Sequence, residues 1–387
     1  MKYKLEEIAT YSNKKIEIDK INLENYISTE NMLPNKSGIT KATTLPNQSK
    51  VSFVEINNIL ISNIRPYFKK IWFANFVGGC SNDVLNIMVN DKKKVLPKYL
   101  YYNLFHDSFF DYMMSGNKGT KMPRGDKNHI MQYMIDIPDI EAQSKVVKII
   151  ETIDRKIELN NKINDNLSEQ LKQIFNNKFF DKIQNNDCNE FKEYSLYDVL
   201  DVIDNRGKTP KLVEFSKYPI IDVRAISGEN RIIDYKQCQK YVDEEVYNTF
   251  FRSGHPKIND ILISTVGSLA EMKIYKENKG TIAQNVVALR CKEDYPMYIY
   301  QYLKAIKNDL ISYNIGSVQP SIKVTQFMKH SIFIPKEDEL NEFENIAQIY
   351  TDKMFNISKE NETLEQLRDT LLPRLMNGEI DLDKIEI

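Results

Sequence analysis

Two long stretches of the chain carry apolar residues at alternating spacings of four and three. The first begins at Val146 and continues through Ile150, Ile153, Ile157, Asn160, Asn164, Leu167, Leu171 and Ile174. This pattern is typical of a coiled-coil seam and predicts one helix over residues 140–180. Asn160 and Asn164 interrupt the seam with amides. A buried asparagine there lowers stability but selects the register and the partner helix.

The second stretch runs from Phe343 to Leu375, is less regular, and again has an asparagine, Asn361, near its middle. It predicts a second helix over residues 336–376, and each helix should be roughly 45–50 Å long at 1.5 Å per residue. An apolar stripe of this length needs a partner. We expect the two helices to pair with each other in an antiparallel coiled coil. The alternative is that each helix packs on its own globular half.

Outside the helices, short runs of β-type composition alternate with short amphipathic segments. The β-type runs occupy residues 58–64, 84–89, 260–266 and 285–289, and the amphipathic segments occupy residues 97–104 and 296–306. This alternation predicts mixed α/β domains.

The chain also repeats itself. Ile-Leu-Ile-Ser at 59–62 returns at 261–264, and each copy leads to a Gly-x-x-x-Pro stretch, at 119–123 and 316–320. An Ile-x-Ile-Pro tetrapeptide and a long helix follow in both copies. The expected fold class is α+β, with two similar mixed α/β domains joined by two long helices and related by a pseudo-two-fold internal repeat. We expect domains at 1–139 and 191–335, helices at 140–180 and 336–376, a linker at 181–190, and a tail at 377–387.

Composition limits the class of protein. The 387 residues suffice for two or three domains, and no apolar run approaches the length of about 18 residues that spans a bilayer. Glu6 and Glu7 stand where a signal peptide needs an apolar core. The four cysteines lie far apart in the sequence, which favours reduced thiols over a disulfide framework or a zinc site. A cytoplasmic protein without a membrane partner is the expectation.

The net charge of −1 conceals a segregation along the chain. Residues 1–140 carry +5 and residues 191–335 carry +3, whereas residues 141–190 carry −1 and residues 336–387 carry −8. Mildly basic domains suit a polyanion such as DNA, although ordinary surface charge explains so modest an excess equally well.

Loops at matching places in both halves combine basic, aromatic and small polar residues. Such side chains can bond base edges and phosphates. The candidate DNA-binding residues are Asn63, Arg65, Tyr67, Lys69, Lys70, Lys118, Lys121, Arg124, Arg206, Lys208, Ser317, Gln319 and Ser321. We assign Asn160, Asn164 and Asn361 to the coiled-coil register.

Motifs for catalysis are missing. The chain has no phosphate-binding loop, no Asn-Pro-Pro-aromatic motif of an amino-methyltransferase, and four histidines scattered singly. We therefore assign no catalytic residue and no metal site, and expect a protein that binds without doing chemistry. Two alternatives stay open. One is a structural adaptor for two copies of a protein partner, and the other is a methyltransferase or nuclease with an unrecognised site.

Several of these motifs resemble the specificity subunit of type I restriction–modification systems. They are Ile-Pro-x-x-Glu-x-Gln at 137–143, the leucine- and arginine-rich stretch at 364–380, Ile-Ser-Asn-Ile-Arg-Pro at 61–66, and Gly-Gly-Cys-Ser at 78–81. The resemblance spans nearly the whole chain. One departure is Leu340, which stands in the second copy where Gln143 stands in the first, so the second helix is expected to dock differently at its start.

The resemblance implies a non-catalytic subunit that reads a bipartite site on double-stranded DNA, one half-site per domain. The helices then act as a ruler and as a platform for two methylation subunits. Those subunits use S-adenosylmethionine to methylate adenine, and a restriction subunit uses ATP and Mg²⁺ to cleave unmethylated DNA. A specificity subunit of another bipartite modification system is an alternative that the sequence does not separate from this one.

Overall fold

The computed structural model describes residues 1–116, 122–316 and 319–381. The chain divides into two compact units. Unit 1 contains Met1–Ile157 together with the chain from Thr363 onward, and unit 2 contains Glu158–Glu362. Each unit therefore comprises one mixed α/β domain and a part of both long helices.

Unit 1 is built on two four-stranded sheets. Its strands are β1 (Lys2–Lys4), β2 (Ala9–Tyr11), β3 (Lys15–Glu17), β4 (Tyr26–Ile27), β5 (Lys50–Val54), β6 (Ile59–Ser62), β7 (Ile71–Phe73), β8 (Gly78–Cys80), β9 (Val84–Val89) and β10 (Met134–Asp136). Strands β2-β9-β6-β7 form an antiparallel sheet in that order, and β3-β5-β8-β4 form the second sheet, in which β4 and β8 are parallel. The short strands β1 and β10 pair at the two ends of the domain sequence.

Helices and turns complete unit 1. The α-helices are α1 (Leu5–Ile8), α2 (Pro97–Phe105), α3 (Asp107–Ser115) and α4 (Lys127–Met131), and 3₁₀ turns cover Ile18–Lys20 and Pro66–Phe68. Strand β6 is buried on both faces. Alternate side chains of a strand point in opposite directions, so the residues of β6 divide between two cores. Ile59 and Ile61 pack in the cluster that contains α2 and α3, whereas Leu60 packs with Val54 of the second sheet.

Unit 2 repeats the first sheet. Its strands are β11 (Lys192–Ser195), β12 (Leu200–Ile203), β13 (Tyr218–Ile221), β14 (Tyr241–Val242), β15 (Ile261–Ser264), β16 (Met272–Ile274), β17 (Thr281–Ile282), β18 (Val286–Cys291) and β19 (Ser331–Ile334). The order β12-β18-β15-β16 matches β2-β9-β6-β7, and the pair β11-β19 matches β1-β10. The second sheet differs, since it has the order β14-β13-β17.

The short helices of unit 2 follow the same plan. They are α7 (Leu196–Val199), α8 (Val223–Ile226), α9 (Glu244–Phe250), α10 (Pro296–Ala305), α11 (Lys307–Ser312) and α12 (Val324–Phe327), with a 3₁₀ turn at Tyr235–Gln237. Strand β15 again divides its side chains between two cores. Ile261 and Ile263 pack with α10, and Leu262 packs with Ile221 of the second sheet. The internal repeat that the sequence predicts is confirmed.

The two long helices are α5 (Ile140–Phe175) and α13 (Glu337–Met376). Helix α5 continues through a π-helical turn at Asn176–Phe180 and a last turn, α6 (Asp181–Gln184). Helical structure therefore extends into the segment that we expected to be a linker.

The helices pair with each other in antiparallel fashion. In unit 2, Asn160 Nδ2 donates to Asn361 Oδ1 at 2.8 Å, and Asn164 Nδ2 lies 3.4 Å from the hydroxyl of Ser358. In unit 1, Arg368 pairs with Asp154 at 3.1 Å. As the residue numbers along α5 increase, the residue numbers of their partners on α13 decrease.

Each unit also packs its own domain against the helices. Val146 and Ile150 of α5 and Leu372 and Leu375 of α13 belong to the main core of unit 1. The corresponding core of unit 2 includes Leu171, Phe343 and Met354. The expected pairing of the helices is confirmed, and the alternative arrangement, packing on the domains, occurs beside it.

The two helix starts dock by different polar contacts. In unit 1 the buried amide of Gln143 accepts from Leu96 N at 2.8 Å and donates to the carbonyls of Lys94 and Pro138, both at 2.9 Å. Leu340 in unit 2 can make no such bonds. Instead Glu344, one turn further along α13, accepts from Met297 N at 3.0 Å and Tyr298 N at 2.9 Å and so caps α10.

Substitution of Glu344 by Gln should remove a pH dependence of stability. Burial raises the pKa of Glu344 from 4.5 to about 7, against the opposing effect of its two backbone hydrogen bonds. The folded state therefore holds a proton that the unfolded chain releases, so wild-type stability falls as the pH rises between these two values. Between pH 5 and pH 8, the free energy of unfolding of the variant should therefore rise by on the order of 3 kcal/mol relative to that of wild type. Thermal unfolding of both proteins at the two pH values checks this, and parallel curves would contradict it.

The buried amide of Asn160 donates to two partners, Asn361 Oδ1 and Glu360 Oε2, both at 2.8 Å. Asn361→Leu removes the first partner and leaves Glu360, so we expect a loss of about 0.5–1.5 kcal/mol in the free energy of unfolding, the net value of one hydrogen bond. The double variant Asn160→Leu/Asn361→Leu should recover most of that loss, because both polar partners are then apolar. Urea unfolding of the single and double variants measures the coupling. Losses that simply add would show that the two amides do not depend on each other.

Candidate nucleic-acid interface

In unit 1 the structure joins two loops that lie 60 residues apart in the sequence. The loop after β6 and the segment after Pro123 meet in an isolated β-bridge between Ile64 and Arg124. Two hydrogen bonds hold the bridge, from Arg65 N to Pro123 O at 2.8 Å and from Gly125 N to Asn63 O at 3.2 Å. The first two candidate loops of the sequence are thus one structural feature.

Unit 2 has the same bridge at the matching positions. Val266, after β15, bridges to Ser321, after Pro320. Gly267 N donates to Pro320 O at 3.1 Å, and Ile322 N donates to Thr265 O at 2.8 Å. Gly316, which precedes this bridge, has no room for a side chain, because a Cβ there would overlap the carbonyl oxygen of Gln319.

A third loop joins the bridge in each unit, and the sequence reasoning missed it. Asn63 N donates to Asp83 O, and Thr265 N donates to Asn285 O, both at 2.9 Å. Asp83 and Asn285 directly precede β9 and β18. The sequence could have indicated this loop, because Asp83 and Asn285 stand at the start of two runs that the sequence predicts as strands. We call these three joined segments the loop cluster of each unit: residues 63–70, 81–83 and 122–126 in unit 1, and residues 265–270, 283–285 and 319–322 in unit 2.

Three candidate side chains of unit 1 follow β6 directly. Asn63 is buried, and its Oδ1 makes no hydrogen bond with the described residues. Arg65 has a left-handed backbone with φ of 49°, and its Nε is likewise without a hydrogen bond in the described part of the chain. Tyr67 is 47% exposed and its ring lies 4.7 Å from that of Phe68. Tyr67 is therefore accessible to a ligand, whereas the unpaired atoms of Asn63 and Arg65 are buried and would become available only if the loop moved.

Two lysines of the same loop are engaged within the fold. Lys69 pairs with Asp107 at 2.7 Å, and Lys36 pairs with the other oxygen of that carboxylate at 2.6 Å. Partial burial raises the pKa of Asp107, but the hydrogen bonds from the two lysines outweigh it and hold the pKa below its usual value. Lys70 Nζ donates to Thr29 O at 2.6 Å, and burial lowers its pKa. We therefore expect less from Lys69 and Lys70 toward a ligand than from the exposed cations.

Arg124 is the exposed cation of this loop cluster. Its side chain is 56% exposed, and its Nη2 lies 3.3 Å from the carboxylate of Asp83. An exposed pair of this kind contributes little to stability and can exchange its partner. Lys118 and Lys121, the other two basic candidates of the segment, lie outside the described residues.

The candidates of unit 2 divide in the same way. Arg206 forms a bidentate pair with Asp204, whereas Lys208 is exposed. Gln284 Nε2 donates to Thr209 Oγ1 at 3.2 Å, which ties the loop that carries Lys208 to the loop cluster. Gln319 is exposed, and Ser321 takes part in the bridge through its backbone. Ser317 lies outside the described residues.

The chemistry of these clusters is that of a binding surface. Amides, a guanidinium, a lysine and hydroxyls converge on loops, and such groups suit base edges and phosphates. In residues 1–116, 122–316 and 319–381, no group of three His, Cys, Asp or Glu side chains is placed to hold a metal ion. Over the same ranges, no helix combines the length and the apolar composition needed to cross a bilayer.

Comparison with known proteins identifies the family. The family model described as type I restriction modification DNA specificity domain matches residues 1–169 and again residues 189–371. The two matches cover most of the chain. The chain belongs to this family. It is a specificity subunit with two target-recognition domains, one in each half of the sequence.

Relatives and a solved structure agree with this assignment. The specificity subunit of the type I restriction enzyme HindI from Haemophilus influenzae is 24% identical, with 92% of this chain and 94% of that protein covered. The MjaIX specificity subunit from Methanocaldococcus jannaschii is 21% identical over 76% of this chain and 71% of that protein. The crystal structure of a type I restriction–modification S subunit from M. genitalium has the same fold, with a TM-score of 0.53 and 16% identity over 97% of this chain and 95% of that one.

Arg124→Ala should weaken DNA binding by the assembled complex through the loss of one exposed charge. The slope of log K against log salt should become shallower by about 1, because one fewer counterion is released. Lys14→Ala is the matched control, since Lys14 is a half-exposed cation of the same unit that pairs with Glu55 at 2.8 Å and is not part of the loop cluster. Equal slopes for Arg124→Ala and wild type in a salt titration would remove this segment from the DNA interface.

Proposed function

We propose that each unit reads one half of a bipartite site on double-stranded DNA through its loop cluster. The observation that carries the proposal is the repeated bridge, Ile64–Arg124 in unit 1 and Val266–Ser321 in unit 2. The same backbone frame thus supports different side chains in the two units. A constant frame with variable side chains suits a protein that reads two different half-sites.

The side chains available differ in kind between the units. Unit 1 offers Arg124, Asn63 and Tyr67, and unit 2 offers Gln319, Ser321 and Lys208. Arginine pairs with guanine edges, and asparagine and glutamine pair with adenine edges. The two half-sites are therefore expected to have different base preferences. Lys118, Lys121 and Ser317 remain candidates on sequence grounds alone.

The long helices set the gap between the half-sites in this proposal. Helix α5 has 36 residues and α13 has 40. The buried amides of Asn160, Asn164 and Asn361 would fix the register of the pair, as polar residues on such a seam do in coiled coils. A change of register would then change the number of unread base pairs.

The outer faces of the helices are the proposed docking sites for two methylation subunits. Leu159 and Ile163 stand one turn apart on α5, and Leu159 is 54% exposed. Ile349 and Leu367 are exposed on α13. The methylation subunits would bind S-adenosylmethionine and methylate adenine, and a restriction subunit would use ATP and Mg²⁺. The chain itself would contribute no catalytic group, and the complex would work in the cytoplasm.

Single-molecule sequencing of DNA methylated by the complex tests the proposal. The chain is co-expressed with its methylation subunit, and methyladenine should fall in a two-part motif with a fixed gap. Arg124→Ala should relax the sequence read at one half, and Gln319→Ala should relax the other half only.

Three outcomes would contradict the proposal. If both halves change in either variant, the units do not read independently. If neither half changes, these loops do not carry the readout. A stable and catalytically competent complex that leaves DNA unmethylated would favour an adaptor without a DNA role.

A further inference from the structure

Unit 2 contains a buried arginine without a carboxylate partner among the described residues. Arg231 is 2% exposed and precedes Ile232, which bridges to the edge strand β16. Its Nη1 donates to Thr351 Oγ1 at 2.9 Å, and its Nη2 donates to Gln301 Oε1 at 3.0 Å. Its Nε makes no hydrogen bond within the described residues. The centre of the Tyr300 ring lies 4.9 Å from Arg231 Cζ. A buried charge with only neutral partners is costly, because such partners offset its desolvation only in part.

The repeat shows what the same place contains in unit 1. Counted from the first residues of α2 and α10, Tyr102 corresponds to Gln301. Counted from the first residues of α5 and α13, Asp154 corresponds to Thr351. In unit 1 the hydroxyl of Tyr102 donates to Asp154 at 2.8 Å, and the guanidinium of Arg368 pairs with the same carboxylate at 3.1 Å. Unit 1 thus supplies an anion where unit 2 has a threonine.

The titration of the two arginines reflects this difference. Burial lowers the pKa of Arg231, and the electrostatic effect of the neighbouring Tyr300 opposes this only in part. Burial acts in the same direction on Arg368, but the carboxylates of Asp154 and Asp369 outweigh it and raise its pKa. Of these two arginines, Arg231 is the one on which no carboxylate acts.

Arg231 lies in the wall of an open cleft. The cleft has a volume of about 780 Å³, and Gln301, Lys172, Lys304 and Lys307 also line it. Its acids do not reach Arg231. Glu229 pairs with Lys304 at 3.2 Å, and Glu169 pairs with Lys172 at 3.4 Å, while Asp165 is an exposed residue on α5. Lys307 pairs with Glu271 at 2.7 Å. The three lysines of the cleft are thus each matched by a glutamate, and Arg231 is the cation of the lining that has no carboxylate partner among the described residues.

We propose that this cleft binds a small oxyanion of the phosphate class, which pairs with Arg231 where unit 1 uses the carboxylate of Asp154. A guanidinium suits such a ligand because its planar N–H groups match two oxygens at once. Gln301 and Thr351 hold the guanidinium through two of its five N–H groups and leave the others for the anion. The site is separate from the loop cluster of unit 2, since none of its lining residues belongs to that cluster.

The test is titration of the full chain with inorganic phosphate at constant ionic strength, with chloride as the replaced ion. Isothermal calorimetry should find one phosphate site per chain that Arg231→Met weakens at least tenfold. Thr351→Asp should also weaken it at least tenfold, because the new carboxylate occupies the place of the anion. In phosphate-free buffer, Thr351→Asp should unfold at a higher temperature than wild type.

Thr370→Asp is the matched control. It makes the same change of charge on the same helix at an exposed position, so phosphate affinity should stay within twofold of wild type. If all three variants bind phosphate like wild type, the ion binds at surface cations and the proposal is wrong. If wild type shows no site in the millimolar range, Arg231 serves only to hold α10 and α13 together, and the proposal is wrong as well.

Discussion

Burial of the seams of α5 and α13 is the constraint on which the rest of this structure depends. Each helix carries an apolar stripe that cannot remain in water, and its length exceeds what one small domain covers. The stripe is buried in each unit by the other helix and by the domain, with Val146 and Leu372 in one core and Leu171 and Phe343 in the other. Both helices contribute to both cores, and the core of unit 1 is complete only with the end of α13, a segment that is distant in sequence.

The internal repeat preserves the backbone and changes the polar contacts. The sheet order β2-β9-β6-β7 returns as β12-β18-β15-β16, and the two-sided burial of β6 returns in β15. Buried polar residues at matching positions make different contacts in the two units. Gln143 holds the start of the first long helix, and Glu344 holds the start of the second. At a second pair of matching positions, the charged Asp154 contacts one guanidinium and the neutral Thr351 contacts the other. Apolar packing fixes the frame, and single polar substitutions within it alter ionisation and binding.

The loop clusters follow the same logic. A β-bridge of two hydrogen bonds positions each cluster, and the third loop adds another backbone bond. Since only backbone groups make the frame, the side chains on it can vary without loss of structure. This property suits the proposed readout, in which Arg124 in unit 1 and Gln319 in unit 2 would contact the DNA.

The sequence by itself determined the features that depend on local periodicity. The seam of α5, strand β9 at Val84–Val89 and the start of α2 at Pro97 were all predictable, because residues a few positions apart decide them. The repeat and the family also followed from motifs in the chain. Only the tertiary structure decided which loops meet, which lysines are already engaged, and where a buried arginine has no carboxylate partner among the described residues. Lys69 and Arg124 look alike in the sequence and each pairs with an aspartate, but the side chain of Lys69 is 30% exposed and that of Arg124 is 56% exposed. Those outcomes depend on contacts between residues far apart in the chain, and no local pattern encodes them.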